Sequence, residues 1–366
     1  MRQHCSTLPL AAIAVALAPL LSLSTGCTNS GGGIGNPFAP SDKAVIAQAD
    51  QVHQQLAPAV IHDPEVEQYM NAIGARIIQG AQDFNKDPKA KDDKHNKQDN
   101  AWLYQGDIQF HLVNSKTLNA FTTGGQHVYI YNELFQQTKT EDELAAVMAH
   151  EFAHIYCRHV ARGESRGFFA QGIAAAAGLA AQASGSQSQA VSLGAQGAGA
   201  AAQFLNTGYT RGDEDEADKY GFSFYIRAGW DPAHFADFFQ RMIEMGYDKT
   251  PEFASDHPKL SLRVEKTEAR IKQIDPNQEQ GRRKADIATP QQLQQYQQRA
   301  VAAAKHTPDD KSLQAAQLML AAFPSCVAPA DSQPEQQRAK RTLLDMAERQ
   351  QQGGHHGGSS GGGGGH

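Results

Sequence analysis

The chain has 366 residues, with 33 Lys plus Arg against 39 Asp plus Glu, a formal net charge of -6 and a pI near 6.2. That length allows one or two domains with a sizeable core, and the basic residues form no dense stripe, which argues against a nucleic-acid surface. Four cysteines in such a length do not make a disulfide scaffold, and after residue 27 no apolar stretch is long enough to span a membrane.

At the start, Arg2 and His4 precede the run LPLAAIAVALAPLLSLS, and TGC follows at 25–27. The run is too short and too broken by proline to cross a bilayer but suits a secretory signal. Small residues before Cys27 suggest a bacterial lipoprotein signal over residues 1–27 with Cys27 as the lipidated residue. Leu23 stands one place further upstream than such signals usually have it, and ordinary cleavage is the alternative. By analogy with such lipoproteins, Thr28 rather than Asp favours the outer membrane. Residues 28–41, rich in Gly, Ser and Pro, read as a flexible tether. Cys157 and Cys326 could pair in an oxidising compartment or stay buried and reduced.

Helical periodicity covers 43–60 and 64–81, the second helix opening with Asp63 as cap and Pro64 at its first position. Residues 85–100 form a charged loop. Strand signals at 108–113 and 127–132 flank NAFTTGG, whose paired glycines mark a turn. Thr140 and Glu143 form a capping box, so a helix starts at Glu141 and runs past Cys157. Residues 168–205 are rich in Ala, Gly, Ser and Gln: a buried helical hairpin or a cover over a site. Further helices are expected over 213–228 and from Asp231–Pro232, and two or three more between 276 and 350. The Gly/His tail over 351–366 reads as disordered.

The chemistry concentrates in VMAHEFAHIYCRH, residues 147–159. His150 and His154 fall about 40° apart on one helix face, so both can reach one metal, while Glu151 lies about 100° round and can stand beside a metal-bound water. The plain alternative is a helix with two partly exposed histidines. A catalytic zinc needs a third protein ligand and an open position. Cys157 is about 10 Å along the axis from His150 and reads as a packing residue. From Ser165 to Gly212 there is no Asp, Glu, His or Cys, so the next donors are in RGDEDEADKYG, where five carboxylates fill six positions. An acidic first turn is one reading of that run. The other uses Glu214 and Asp218, one binding zinc and the other orienting a ligating histidine; spacing does not say which.

HEFAH, RGDEDEADKYG about sixty residues on, and SDHPKLSLR together resemble the gluzincin metallopeptidases of the CAAX prenyl endopeptidase and HtpX type, and among them the periplasmic, non-spanning lipoprotein branch. The resemblance covers roughly 45 to 272. It implies an α+β, mainly helical fold: a zincin-like metallopeptidase domain with a small sheet over 42–275 and a short helical region over 276–350. It implies one zinc per chain on His150, His154 and Glu214, with Glu151 as general base and Asp218 as partner of a ligating histidine. His257 and Arg263 match a further motif whose histidine approaches the zinc, and both are catalytic candidates. The family uses the strand region before the zinc helix to bind an extended peptide, which makes Asn119, Ala120, Phe121, Gly124 and Gly125 substrate-binding candidates. This chain has NAFTTGG where the family has NAFA and a proline. The implied activity is a periplasmic zinc endopeptidase, anchored to the outer membrane and acting on misfolded or misassembled envelope proteins. The alternative is an outer-membrane protein assembly chaperone whose peptidase is kept latent by His257.

Overall fold

The computed structural model describes residues 41–96, 100–161, 164–185, 195–249, 259–275, 282–307, 310–325 and 333–356. The expected signal with Cys27, most of the tether, His257 and Cys326 lie outside these residues. Caps set the first helices. Helix α1 (Asp42–Leu56) begins behind Ser41, whose hydroxyl accepts the Ala44 N–H. Helix α2 (Pro64–Lys86) begins behind Asp63, which accepts from Glu65 and Val66 N–H, while proline fills the first position, where no donor is needed. It runs past the expected end at 81.

Strands β1 (Gln109–Val113), β2 (Ala120–Thr122) and β3 (His127–Tyr131) make a sheet of order β1-β3-β2. β1 pairs parallel with β3, from Gln109↔His127 to Val113↔Tyr131, and β2 pairs antiparallel with β3. The glycine turn therefore joins β2 to β3. It does not join the two strands legible in the sequence, because parallel neighbours cannot share a tight turn. Gly125 is demanded by packing: a Cβ there would lie 2.4 Å from the Ala49 Cβ of α1.

A short helix α3 (Asn132–Gln137) leads into α4 (Glu141–Tyr156), buried along its whole length from Glu143 onward. Thr140 Oγ1 accepts the Glu143 N–H, but the Glu143 carboxylate turns to the Lys139 N–H at 2.7 Å and pairs with Arg241. Only half of the expected capping box forms, because a cation competes for its carboxylate. Glu141, also buried, takes Trp230 Nε1–H and the N–H groups of Ile287 and Ala288. These bonds anchor the start of α4.

Helices α5 (Glu164–Ala183) and α6 (Ala195–Thr207) bury Ile173, Leu179, Phe204 and Leu205 in the main core. They are thus a buried helical pair. Helix α7 (Arg211–Ala228) opens with a capping box of Thr210 and Asp213 and closes on Gly229 at φ 104°, a left-handed position that suits glycine. The expected start at Asp231–Pro232 is a single 3-10 turn, Pro232–His234, before α8 (Asp237–Glu244). Then come α9 (Leu260–Ile271), α10 (Pro290–Ala304), α11 (Lys311–Ala322) and α12 (Pro334–His356). The last three join the core of the rest: Tyr131 Oη donates to Leu320 O at 2.7 Å, and Gln333 Oε1 accepts the Leu118 N–H at 2.7 Å. Helix α12 continues to His356, into the stretch read as disordered. Among the described residues no helix is long and apolar enough to cross a membrane.

Candidate active site

Helices α4 and α7 touch backbone to backbone. A Cβ on Gly221 would lie 3.0 Å from His150 N and 3.1 Å from the Ala149 carbonyl. This close approach sets the acidic face of α7 opposite the two histidines of α4.

There His150, His154 and Glu214 converge, each 1 % exposed or less. His150 Nε2 lies 3.1 Å from His154 Nε2 and 3.4 Å from Glu214 Oε2, and His154 Nε2 lies 3.6 Å from Glu214 Oε1. Donors held at 2.0–2.2 Å by one tetrahedral ion stand about 3.3 to 3.6 Å apart, so the triangle fits a metal of zinc's size. Which of Glu214 and Asp218 faces the centre, open from spacing, is now visible: Glu214 does.

Asp218 stands behind His150, its Oδ1 2.9 Å from Nδ1. The carboxylate takes that N–H and turns the Nε2 lone pair to the centre. Arg263 grips the same carboxylate, Nε to Oδ2 at 2.8 Å and Nη2 to Oδ1 at 2.6 Å. Its guanidinium lies 3.9 Å above the Phe239 ring. Arg263 thus holds Asp218, and its Nη1 also lies 3.8 Å from Glu214 Oε2. Burial would raise the Asp218 carboxyl, but Arg263 and His150 hold it well below its usual range. Burial and Arg263 would depress His150, yet Asp218 and Glu214 lift it to about 9. The centre favours a positive charge, a demand a divalent cation meets. Burial, with His150 and His159 beside it, pushes His154 well down and keeps it neutral, the form that binds metal.

A second support was not legible in the sequence. His159 Nδ1 lies 2.9 Å from His154 Nδ1, and His159 Nε2 lies 3.0 Å from Glu216 Oε2. With Glu216 accepting from Nε2–H, His159 accepts from His154 Nδ1–H, and the His154 Nε2 lone pair faces the centre. Burial would raise Glu216, but His159, His95 and Lys94 hold it far below its usual range. The backbone makes this possible: Arg158 takes φ 56° after the helix end, and the His159 N–H returns to His154 O at 3.0 Å. The five carboxylates of the acidic run are therefore all engaged. Asp213 caps Thr210, Glu214 faces the histidines, Asp215 pairs with Lys266 and Arg270, Glu216 holds His159, and Asp218 holds His150.

Glu151 is wholly buried on α4 beside these donors without being one of the three. Cys157 is buried at the end of α4. The peptide-docking candidates lie along β2. β1 and β2 are the two edges of the sheet, and several groups on the outer edge of β2 and in the residues just before it are already engaged. The Leu118 N–H goes to Gln333 and its carbonyl accepts from Ser325 and Gln333. Asn119 Oδ1 takes the Ala120 N–H, and Thr122 O accepts from Tyr209 Oη. Phe121 packs on Phe323 at 4.2 Å, and the Tyr209 ring stacks on His154 at 3.8 Å.

Comparison with known proteins points the same way. Residues 92–271 match the model of peptidase family M48. The chain is 30% identical over 233 residues to a beta-barrel assembly-enhancing protease of Yersinia pestis, covering 62% of this chain and 43% of that one. It is 23% identical over 244 residues to metalloprotease LoiP of Escherichia coli (strain K12), covering 66% and 86%. To the mitochondrial metalloendopeptidase OMA1 of Schizosaccharomyces pombe it is 31% identical over 166 residues, covering 44% and 45%. The alignments take in less than half the length of the beta-barrel assembly-enhancing proteases.

Proposed function

This chain belongs to peptidase family M48 through its residues 92–271, and from that membership we propose that it is a zinc endopeptidase of the bacterial periplasm. The observation that carries the reading is the buried triangle of His150 Nε2, His154 Nε2 and Glu214, with edges of 3.1, 3.4 and 3.6 Å. Bound there, zinc supplies a Lewis acid that polarises the scissile carbonyl and lowers the pKa of water to about 7. Asp218 and His159 fix the two imidazoles so that no rearrangement is needed when charge develops. Glu151 takes the proton of the attacking water and returns it to the leaving amine. The substrates are unfolded or misassembled envelope proteins, a reading supported by the relatives named beta-barrel assembly-enhancing proteases. Cys27 anchors the chain to the outer membrane through its lipid, on the strength of the signal-like run before it.

Glu151→Gln tests the mechanism: the variant should keep its zinc and its melting temperature while casein cleavage falls by about 10²–10⁴-fold. Cleavage at the wild-type rate would sink the assignment.

One observation favours the second reading, an assembly factor with a latent peptidase. At the outer edge of β2, where an extended peptide would add, Tyr209 already takes the Thr122 carbonyl, and Ser325 and Gln333 take Leu118 just before the strand. Under that reading Glu151→Gln still rescues envelope defects, and His257→Ala, which frees zinc's open position, increases proteolysis.

A further inference from the structure

A second group of histidines lies on elements that contribute nothing to the triangle above. The register of β1 and β3 sets His111 beside Tyr129 and Gln109 beside His127, so His111 and His127 are diagonal neighbours on one face of the sheet. Helix α1 lays His53 over them, its ring 4.1 Å from that of His127 and 4.5 Å from that of His111. One nitrogen of each ring lies within 4.8 Å of the other two.

Several details distinguish this group from ordinary packing. His111 Nε2 and His127 Nδ1 point at each other across 2.9 Å. On its far side, His127 Nε2 meets Asp50 Oδ1 at 3.2 Å. A carboxylate taking that N–H leaves Nδ1 as a lone pair aimed inward, the arrangement that orients metal-bound imidazoles. Tyr129 Oη stands 3.1 Å from His53 Nδ1; accepting that N–H, it leaves His53 Nε2 as the donor. Burial is the main cause that lowers all three histidines, to about 4 for His53 and about 3 for His111. At neutral pH they carry lone pairs instead of charge. His53 and His111 also line a cleft of about 730 Å³ between α2 and β1, which gives an ion a way in.

We propose that His53, His111 and His127 bind a second divalent cation, a late first-row metal such as zinc, which ties α1 to the sheet. An all-imidazole set favours such a metal over magnesium or calcium. On binding, the His111 proton moves from Nε2 to Nδ1, so that both facing nitrogens offer lone pairs and no net proton is released.

Metal analysis of the full chain equilibrated with zinc tests this. The wild type should hold two zinc per chain. His150→Gln/His154→Gln should hold one, and His53→Phe/His111→Phe, which keeps the stacked rings, should hold one while still cleaving casein at the wild-type rate. Should the phenylalanine pair fail to fold, cobalt titration of His150→Gln/His154→Gln gives the answer alone. One equivalent of cobalt with visible ligand-field bands, unaffected by excess magnesium, supports the site. One zinc in the wild type, or no bands and no retained metal in His150→Gln/His154→Gln, overturns it.

Discussion

Replacing Asp218 by Asn separates what this carboxylate does for folding from what it does for the metal. Asp218 is 2 % exposed. It takes two bonds from Arg263, at 2.8 and 2.6 Å, and faces His150 Nδ1 at 2.9 Å. Asn keeps the shape and removes the charge, depriving the buried Arg263 guanidinium of its nearest carboxylate while Glu214 stays 3.8 Å away; breaking such a buried pair costs up to about 3–5 kcal/mol of folding stability. His150 meanwhile faces a neutral amide, a weaker acceptor, in place of the carboxylate that fixes its tautomer, which should weaken zinc binding by about 10–100-fold, or about 1.4–2.7 kcal/mol. Asp218→Asn/Arg263→Met removes both buried charges. It should recover most of the folding cost but none of the lost affinity, since His150 still lacks its carboxylate. Denaturant melts in chelator report the first quantity, and competition for zinc with a chromophoric chelator reports the second. Wild-type affinity in Asp218→Asn, or restored affinity in the double variant, would refute the reasoning.

The other support is tested by His159→Phe, which preserves the buried ring and removes the acceptor of His154 Nδ1–H. Zinc affinity should fall by about tenfold or more, with Glu216→Gln showing a smaller loss in the same competition assay. Stability should also depend on acid. Because burial holds His53 and His111 at about 4 and about 3, the unfolded chain binds more protons than the folded one below about pH 6.5. Stability is then full above that pH and is lost as pH falls toward 4, with a slope of at most about 1.4 kcal/mol per pH unit for each histidine. Chelated protein melted between pH 7 and 4 checks this; a flat profile that is the same in His53→Phe/His111→Phe would contradict it.

What the sequence makes legible is local chemistry. Asp63–Pro64 marks a helix start by its cap, although Asp231–Pro232 opens only a 3-10 turn, and His150, His154 and the carboxylates of α7 declare themselves by helical spacing. Segment contacts set by distant parts of the chain were not legible. β2 is three residues of NAFTTGG, a stretch with turn residues, and it is a strand only because β3 pairs with it. That β1 and β3 pair in parallel with β2 on the far side of β3 is a matter of pairing between segments, which no alternation pattern encodes. Helices α10 to α12 looked separable by composition, yet Leu293, Leu320 and Leu343 lie in the same core as Met148. His159 carried no signal of its own, although the surplus of carboxylates in the acidic run was a hint that another cation or donor faced α7. His111 and His127 are brought together by sheet register, and His53 by the packing of α1 over them. Arg263 was read with the histidine of its motif as catalytic; in the fold it grips Asp218 and lies 3.8 Å from Glu214.

The central claim is that His150, His154 and Glu214 hold the zinc on which peptide cleavage depends. Casein cleavage by chelated full-length protein, followed as zinc is returned, tests it most directly. Chelated wild type should be inactive and regain full activity with zinc, while His150→Gln/His154→Gln should stay inactive at every zinc concentration that leaves it folded. Undiminished cleavage by the chelated wild type, or recovery in the double variant, would contradict the account.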